Sequence, residues 1–318
     1  MSNARVLVIG GGLSGLVAGR RLQRTRPDAE VVVVEREPLP GGDARTQRSN
    51  GFGCELGAFA FCDDELAPML AALERPPRVI AARAGAERGW LFDGGALHAI
   101  DVDPPPRSFA SGCTELVQAL RRELGASLQL GRAVTSLQPR DGGGFDVALG
   151  GEAATRSSFD EVVFATSPLS AAPLLAAFEP RLAFAAEQAP PPERRAFVFF
   201  GGLQKDCEDL RGYGVLTRPD VGLPVAEVIY CSNVFAQRAI GDRFLLRAEL
   251  TCNEPAHDDR ALTAAVEQHL RACTGTTAPF GFQKVHRFVA PLRDGLATEC
   301  RARFHEIVQR VPGMSRAD

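Results

Sequence analysis

Lysine is almost missing from this chain: Lys205 and Lys284 are the only two, and arginine supplies the rest of the 36 basic residues. No basic block or stripe stands out, and the net charge is −3 with a pI near 6.0. Neither nucleic acid nor an anionic membrane surface is indicated as a partner. No apolar run reaches the ~20 residues that a membrane-spanning helix needs, although peripheral attachment stays open. There is no C-x-x-C pair either. The eight cysteines are scattered from Cys54 to Cys300, and no signal-peptide pattern precedes the first strand, so free thiols in a cytoplasmic protein are expected. The histidines His98, His257, His269, His286 and His305 do not cluster with cysteines, and no metal site is expected. No Ser/His/Asp, Cys/His or paired-carboxylate arrangement suggests hydrolysis. Trp90, Tyr213 and Tyr230 are the whole set of polar aromatics. They could line a pocket, but in a strand-rich lobe such residues more often belong to the core.

At 318 residues and 45% hydrophobic content the chain can bury two ordinary cores, which favours two lobes. The densest information lies at its start. Arg5 to Ile9 is a β-branched apolar run that suits a buried strand of a parallel sheet. Gly10, Gly12 and Gly15 follow. The first allows a tight turn, the second close approach of a pyrophosphate, and the third tight packing of helix on strand. Free amides around Gly12, Leu13 and Ser14, at the positive end of the helix dipole, would hold the phosphates. Val31 to Val34 reads as the second strand, and Glu35 closes it twenty residues beyond Gly15. An acid there can accept hydrogen bonds from a ribose. This is a dinucleotide pocket.

The segment Glu35-Arg36-Glu37-Pro38-Leu39-Pro40-Gly41-Gly42, followed by Arg45-Thr46, resembles a signature of the flavin amine oxidase superfamily: an acid, five residues, a glycine pair, then arginine and Ser/Thr. Monoamine and polyamine oxidases, phytoene desaturases and protoporphyrinogen oxidases belong to it. Glu55-Leu56-Gly57 is similar to its "ELG" step, and Ser108 to Leu124 to a helix with Cys113, Leu116, Val117, Leu120 and Leu124 on one apolar face. Leu128 to Leu130 and Val134 resemble the strand whose valine lies against the adenine. Phe159 to Thr166 is similar to the family's return strand, "y-D-x-V-V-x-A-T". Softer likenesses to protoporphyrinogen oxidases lie at Gly212 to Leu216, Phe235 to Ala239, Val285 through Pro291 and Val311 to Met314.

The resemblance implies FAD as cofactor, bound by Gly10, Gly12, Leu13, Ser14, Gly15, Glu35, Arg36, Gly41, Gly42, Arg45, Thr46 and Val134. It implies an α/β fold: a Rossmann-like FAD-binding domain with a parallel sheet, and a strand-rich α+β substrate domain inserted into it. The FAD domain would comprise residues 1–60 and 107–168, with 293–318 returning to it, and the substrate domain 61–106 and 169–292. Within the substrate domain a helix around Leu66 to Leu73, a hairpin at Trp90 to Gly95, and strands at 196–200, 226–230 and 244–250 in one sheet are expected. Asp258-Asp259 would cap a helix with Leu262, Ala265, Val266, His269 and Leu270 on its inner face, His269 being structural.

The implied reaction is oxidation of a small organic substrate at a C–H activated by nitrogen or conjugation. No catalytic residue is assigned: neither lysine maps onto the lysine that amine-oxidising relatives place near the flavin. Three departures from the pattern stand out. Only 46 residues separate Phe61 from Ser108, where protoporphyrinogen oxidases carry a longer helical region, which argues against a tetrapyrrole. The sequence stops at Asp318, before the family's last strand, "A-G-D/E" turn and glycine-led helix; residues 315–318 are expected to be too short to pair usefully. Asp43 puts a carboxylate beside the diphosphate, which is unfavourable unless it points to water or pairs with Arg45. Two alternatives remain: a non-catalytic or truncated binding protein on the same scaffold, comparable to GDP-dissociation inhibitors, and an NAD-binding reductase.

Overall fold

The computed structural model describes residues 3–61, 63–151, 154–176, 178, 193–252, 258–289, 304 and 309–317. Cys62, His257, Pro291, Cys300 and His305 lie outside these, as does Asp318. Two sheets organise the molecule. The first has five parallel strands in the order Met314–Arg316, Glu161–Phe164, Arg5–Ile9, Glu30–Glu35, Leu128–Leu130. Strands buried on both faces need continuous apolar runs, and Val6, Leu7 and Val8 are fully buried. One face packs under the helices Leu13–Thr25 and Thr114–Leu124. The other meets the helix Pro168–Leu175 and the three-stranded meander Val134–Pro139, Phe145–Leu149, Thr155–Phe159. Leu120, fully buried in the first of these cores, is a position where truncation to alanine costs about 2–5 kcal/mol.

The second sheet has seven strands, in the order Phe282–Val289, Arg194–Leu203, Arg243–Thr251, Val225–Ile229, Gly214–Thr217, Arg88–Phe92, Leu97–Asp101. The helix Asp259–Thr274 covers one face with Leu262, Val266 and Leu270. Its start is fixed by Asp258, whose Oδ1 accepts from the Ala261 amide at 2.8 Å. His269 sits inside, 3.2 Å from the Thr217 hydroxyl and edge-on to Phe92. The chain forms an α/β fold in which a Rossmann-like parallel sheet is joined to a strand-rich lobe.

Three sequence expectations are corrected. The helix expected from Ser108 begins at Thr114, because Arg107–Phe109 pairs antiparallel with Val79–Ala81 and Gly112 turns the chain at φ +93°. The return strand is split: Phe159 ends the meander, and only Glu161–Phe164 joins the parallel sheet. The terminal segment does pair. Met314–Arg316 lies parallel to Val162, Val163 and Phe164, and the Ala317 amide continues the ladder to the Phe164 carbonyl at 2.9 Å. A short strand suffices there because Met314 is buried against the existing core.

Candidate functional site

The parallel sheet reverses its order of connection between Arg5–Ile9 and Glu161–Phe164, and ligands of such sheets bind outside the carboxyl ends of the strands at that point. A cleft of about 530 Å³ opens there. Its floor is Ile9, Gly10, Gly12, Ala165 and Thr166; its walls include Glu35, Arg36, Gly42, Asp43, Arg45, Arg132 and Val134.

The glycines work by different means. A Cβ on Gly10 would stand 2.7 Å from the Ala165 carbonyl oxygen, and one on Gly15 only 1.8 Å from the Gly10 oxygen. These two let turn, helix and neighbouring strand approach. Gly12 is different: a Cβ there meets nothing within 4 Å, so the space over it belongs to the cleft. The first-turn amides of the helix Leu13–Thr25 have no partner within the helix and lie at its positive end.

Gly41 and Gly42 divide their roles. Gly41 bridges to Gly12 as a short parallel pair, its amide donating to the Gly11 carbonyl at 2.7 Å. Its φ is +107°, and a Cβ there would stand 2.8 Å from a Val117 methyl, so the position has no room for a side chain. Gly42 is exposed and faces Gly12 across the cleft wall. Together the pair clamps the glycine turn from outside.

Glu35 holds the same turn. Its Oε2 accepts from the Gly11 amide at 2.7 Å and Oε1 from the Glu37 amide at 2.9 Å. A carboxylate has about four acceptor positions, so two remain for ribose hydroxyls. Asp43 is exposed to water, which meets one of the two conditions set by its charge. Thr46 turns inward: its hydroxyl donates to Glu55 at 2.8 Å, and its amide donates to the Thr114 hydroxyl at 2.7 Å. It braces the segment from behind and does not line the cleft. Leu13, Ser14, Gly15 and Gly41 likewise stand around the cleft without lining it.

Among the described residues, the buried polar atoms at the cleft without a hydrogen-bond partner include Arg45 Nε and Thr166 Oγ1. Leaving such groups unsatisfied costs about 1–3 kcal/mol each, so they fit a site completed by a ligand with acceptor oxygens. A dinucleotide supplies these, and the open floor at Gly12, the orphaned donors and Glu35 form a matching set. Sequence reasoning missed Thr166 as a lining residue, along with Arg132, Ser167 and Ser170. Thr166 was visible only as the last letter of a strand motif.

The three aromatics separate. Tyr230 is 1% exposed and packs on Phe244, so it belongs to the core. Trp90 lies against the helix-covered core of the seven-stranded sheet, its indole donating to the Arg211 carbonyl at 3.2 Å. Tyr213 is half-buried on the opposite face.

Residues 8–73 match the model of a family described as an NAD(P)-binding Rossmann-like domain. Among solved structures, a protein described as a candidate protoporphyrinogen oxidase from Exiguobacterium sp. 255-15 superposes with a TM-score of 0.83, at 16% identity, covering 99% of this chain and 94% of that one. Cyclohexylamine oxidase from Brevibacterium oxydans IH-35A gives a TM-score of 0.71 at 14% identity, covering 98% and 92%. A triple mutant of putrescine oxidase gives 0.71 at 12% identity, covering 98% and 92%. The chain carries a Rossmann-like dinucleotide-binding domain and shares its fold with protoporphyrinogen oxidase-like and amine oxidase structures.

Proposed function

We propose that this chain is an FAD-dependent oxidoreductase that removes hydride from a C–H activated by nitrogen or conjugation in a small organic substrate. The observation that carries this reading is the bare main chain at Gly12 opening into a cleft whose buried donors, Arg45 Nε and Thr166 Oγ1, lack partners. The second glycine pair, clamped on the first, supports FAD over a nicotinamide cofactor. FAD, when bound, supplies the hydride acceptor.

The chain's own residues bind and orient. First-turn amides at Leu13 and Ser14 take the diphosphate, Glu35 the ribose, Arg45 and Thr166 further oxygens, and Val134 packs against the adenine. The domain division of 1–60 and 107–168 with 293–318, against 61–106 and 169–292, remains part of the proposal. It is supported by sheet membership, since every strand of the five-stranded sheet falls in the first set and every strand of the seven-stranded sheet in the second. A cytoplasmic location is proposed on the same footing. Among the described residues no helix is long and apolar enough to cross a membrane.

The test is spectral. Purified chain, or a version extended past Asp318, absorbs near ~450 nm and releases FAD on denaturation, as flavin chemistry requires. Protein that stays colourless with added FAD, yet retains NAD(H), supports the nicotinamide reading instead.

A further inference from the structure

Arg243 opens the strand Arg243–Thr251, four residues before Arg247. Arg247 donates to the Gly57 carbonyl at 2.6 Å, and a Cβ on Gly57 would stand 2.2 Å from the Asp43 carbonyl oxygen, so that part of the strand adjoins the dinucleotide cleft. At about 3.3 Å per residue, Arg243 begins ~13 Å farther along. A second cavity, of about 590 Å³, opens beside it. It shares no residue with the cleft and has the size of a small-molecule site.

Hydrogen bonds to the main chain tie its walls together. The Arg83 amide donates to the Val234 carbonyl at 2.9 Å, Asn233 Nδ2 to the Leu210 carbonyl at 2.7 Å, and the Trp90 indole to the Arg211 carbonyl at 3.2 Å. The cavity is therefore preformed, and a ligand entering it has little to order. Three arginines line it: Arg83, Arg211 and Arg243. Each is held by a main-chain carbonyl and not by an acid. Arg83 Nη1 donates to Ser232 at 3.3 Å, Arg211 Nε to Glu208 at 2.8 Å, and Arg243 Nη1 to Asn50. Among the described residues none of the three meets a carboxylate, whereas Arg26, Arg195 and Arg218 each do so at 2.5–2.7 Å. A guanidinium presents a planar fork of donors that matches a carboxylate. Most of each fork is unspent here.

Two carboxyls, Glu208 and Asp242, stand in the same walls. Both are exposed and form no ion pair among the described residues. They repel a polyanion, so a ligand with a single negative charge fits best. The rest of the cavity is apolar in part, with Leu210 and Ala86 each 1% exposed. Through Gly241, Asp242 and Arg243 it runs into a hollow lined by Leu203 and Ile240, which are 46% and 63% exposed. Two large apolar side chains left to water in one hollow mark a contact surface, and it lies directly beside the unspent guanidiniums. We propose that this is a second ligand site, taking a small amphipathic monocarboxylate: Arg83, Arg211 and Arg243 hold its carboxylate, and its aliphatic chain lies over Leu203 and Ile240. The site goes beyond the FAD reading and does not depend on it.

The experiment is calorimetric titration of the full chain with octanoate, with acetate as the head-only probe and octanol as the tail-only probe, each with and without added FAD. Octanoate binds at one equivalent per chain, acetate and octanol bind more weakly, and salt weakens octanoate binding. Arg83→Gln and Arg211→Gln, at exposed side chains, each weaken it about tenfold, as loss of a charge-assisted hydrogen bond does. Ile240→Ser weakens it several-fold through lost apolar contact. The melting temperature of these variants stays that of the parent; should an arginine variant melt lower, Ile240→Ser and the salt series decide. No octanoate binding, octanol binding as tightly as octanoate, parental affinity in both arginine variants, or displacement of octanoate by FAD overturns the proposal. A chain that takes up no FAD still binds octanoate, so the cofactor reading and this one fail separately.

Discussion

The Glu55 carboxylate and the Arg238 guanidinium meet at 2.9 Å with side chains 1% and 0% exposed. Arg238 also donates to the Ser108 hydroxyl at 2.6 Å and the Phe109 carbonyl at 3.2 Å, while Glu55 accepts from Thr46 and from the Cys113 amide. The pair joins the segment behind the glycine clamp to the lobe of the seven-stranded sheet. Removing one member leaves the other charge buried alone, so Arg238→Met costs about 3–5 kcal/mol. Adding Glu55→Gln recovers much of that loss, since the amide keeps an acceptor for Thr46 and Cys113 while losing the charge. Urea denaturation of the single and double variants checks this. A single variant as stable as the parent would mean the pair does not lock the two parts together.

Gly12 and Gly15 separate cofactor binding from folding. At Gly12 the backbone has φ −64° and no atom lies within 4 Å of a Cβ, so Gly12→Val folds but blocks the diphosphate. Gly15→Ala collides with the Gly10 carbonyl at 1.8 Å and loses the fold itself. Thermal melts and bound-flavin absorbance distinguish the two. Flavin content unchanged in folded Gly12→Val would show that the phosphates are wrongly placed.

How much of this was legible before the structure follows from the reach of each interaction. Arg5–Ile9, the glycine turn and Glu35 are local, and the sequence pattern placed them where they lie. The helix at Thr114–Leu124 was recognised by its apolar face, but its start was hidden because Arg107–Phe109 pairs with Val79–Ala81, a long-range contact that no periodicity reports. Thr166 reaches the cleft only through parallel pairing of Glu161–Phe164 with Arg5–Ile9. Glu227, Arg247 and Glu249 alternate with apolar residues, and nothing local in the sequence marks that face as covered. Their burial depends on the dinucleotide lobe packed against that face, whose Phe52, Cys54, Leu56 and Phe59 join the same core.

The orphaned donors give a third prediction. Arg45 Nε and Thr166 Oγ1 have no partner in the cleft, so Thr166→Val and Arg45→Met remove desolvated groups that only a ligand satisfies. Each lowers FAD affinity about tenfold, which corresponds to ~1.4 kcal/mol, within the range for one hydrogen bond. Neither lowers the melting temperature of the ligand-free chain. Flavin fluorescence titration beside a thermal melt reads both quantities. Affinity retained in both variants would remove these residues from the site.

His269 makes the stability of the seven-stranded lobe depend on pH. Burial holds its imidazole below the ordinary 6.5. The one ring nitrogen with a partner, Nε2, faces the Thr217 hydroxyl, while Nδ1 is buried without any. In the unfolded chain the ring titrates at its ordinary value, so as pH falls below about 6.5 the unfolded state takes up a proton that the folded state resists. The stabilisation is therefore complete above that value and is lost as pH falls toward the lower, folded pKa. His286 is shifted in the same direction, by burial first and then by Arg45, and adds to the slope. His269→Leu loses the bond to Thr217, at a cost of about 1 kcal/mol at neutral pH, but flattens the decline in melting temperature between about pH 7 and pH 5. A variant that keeps the parent's full slope would assign the acid sensitivity to His286, where Arg45→Met would then change it.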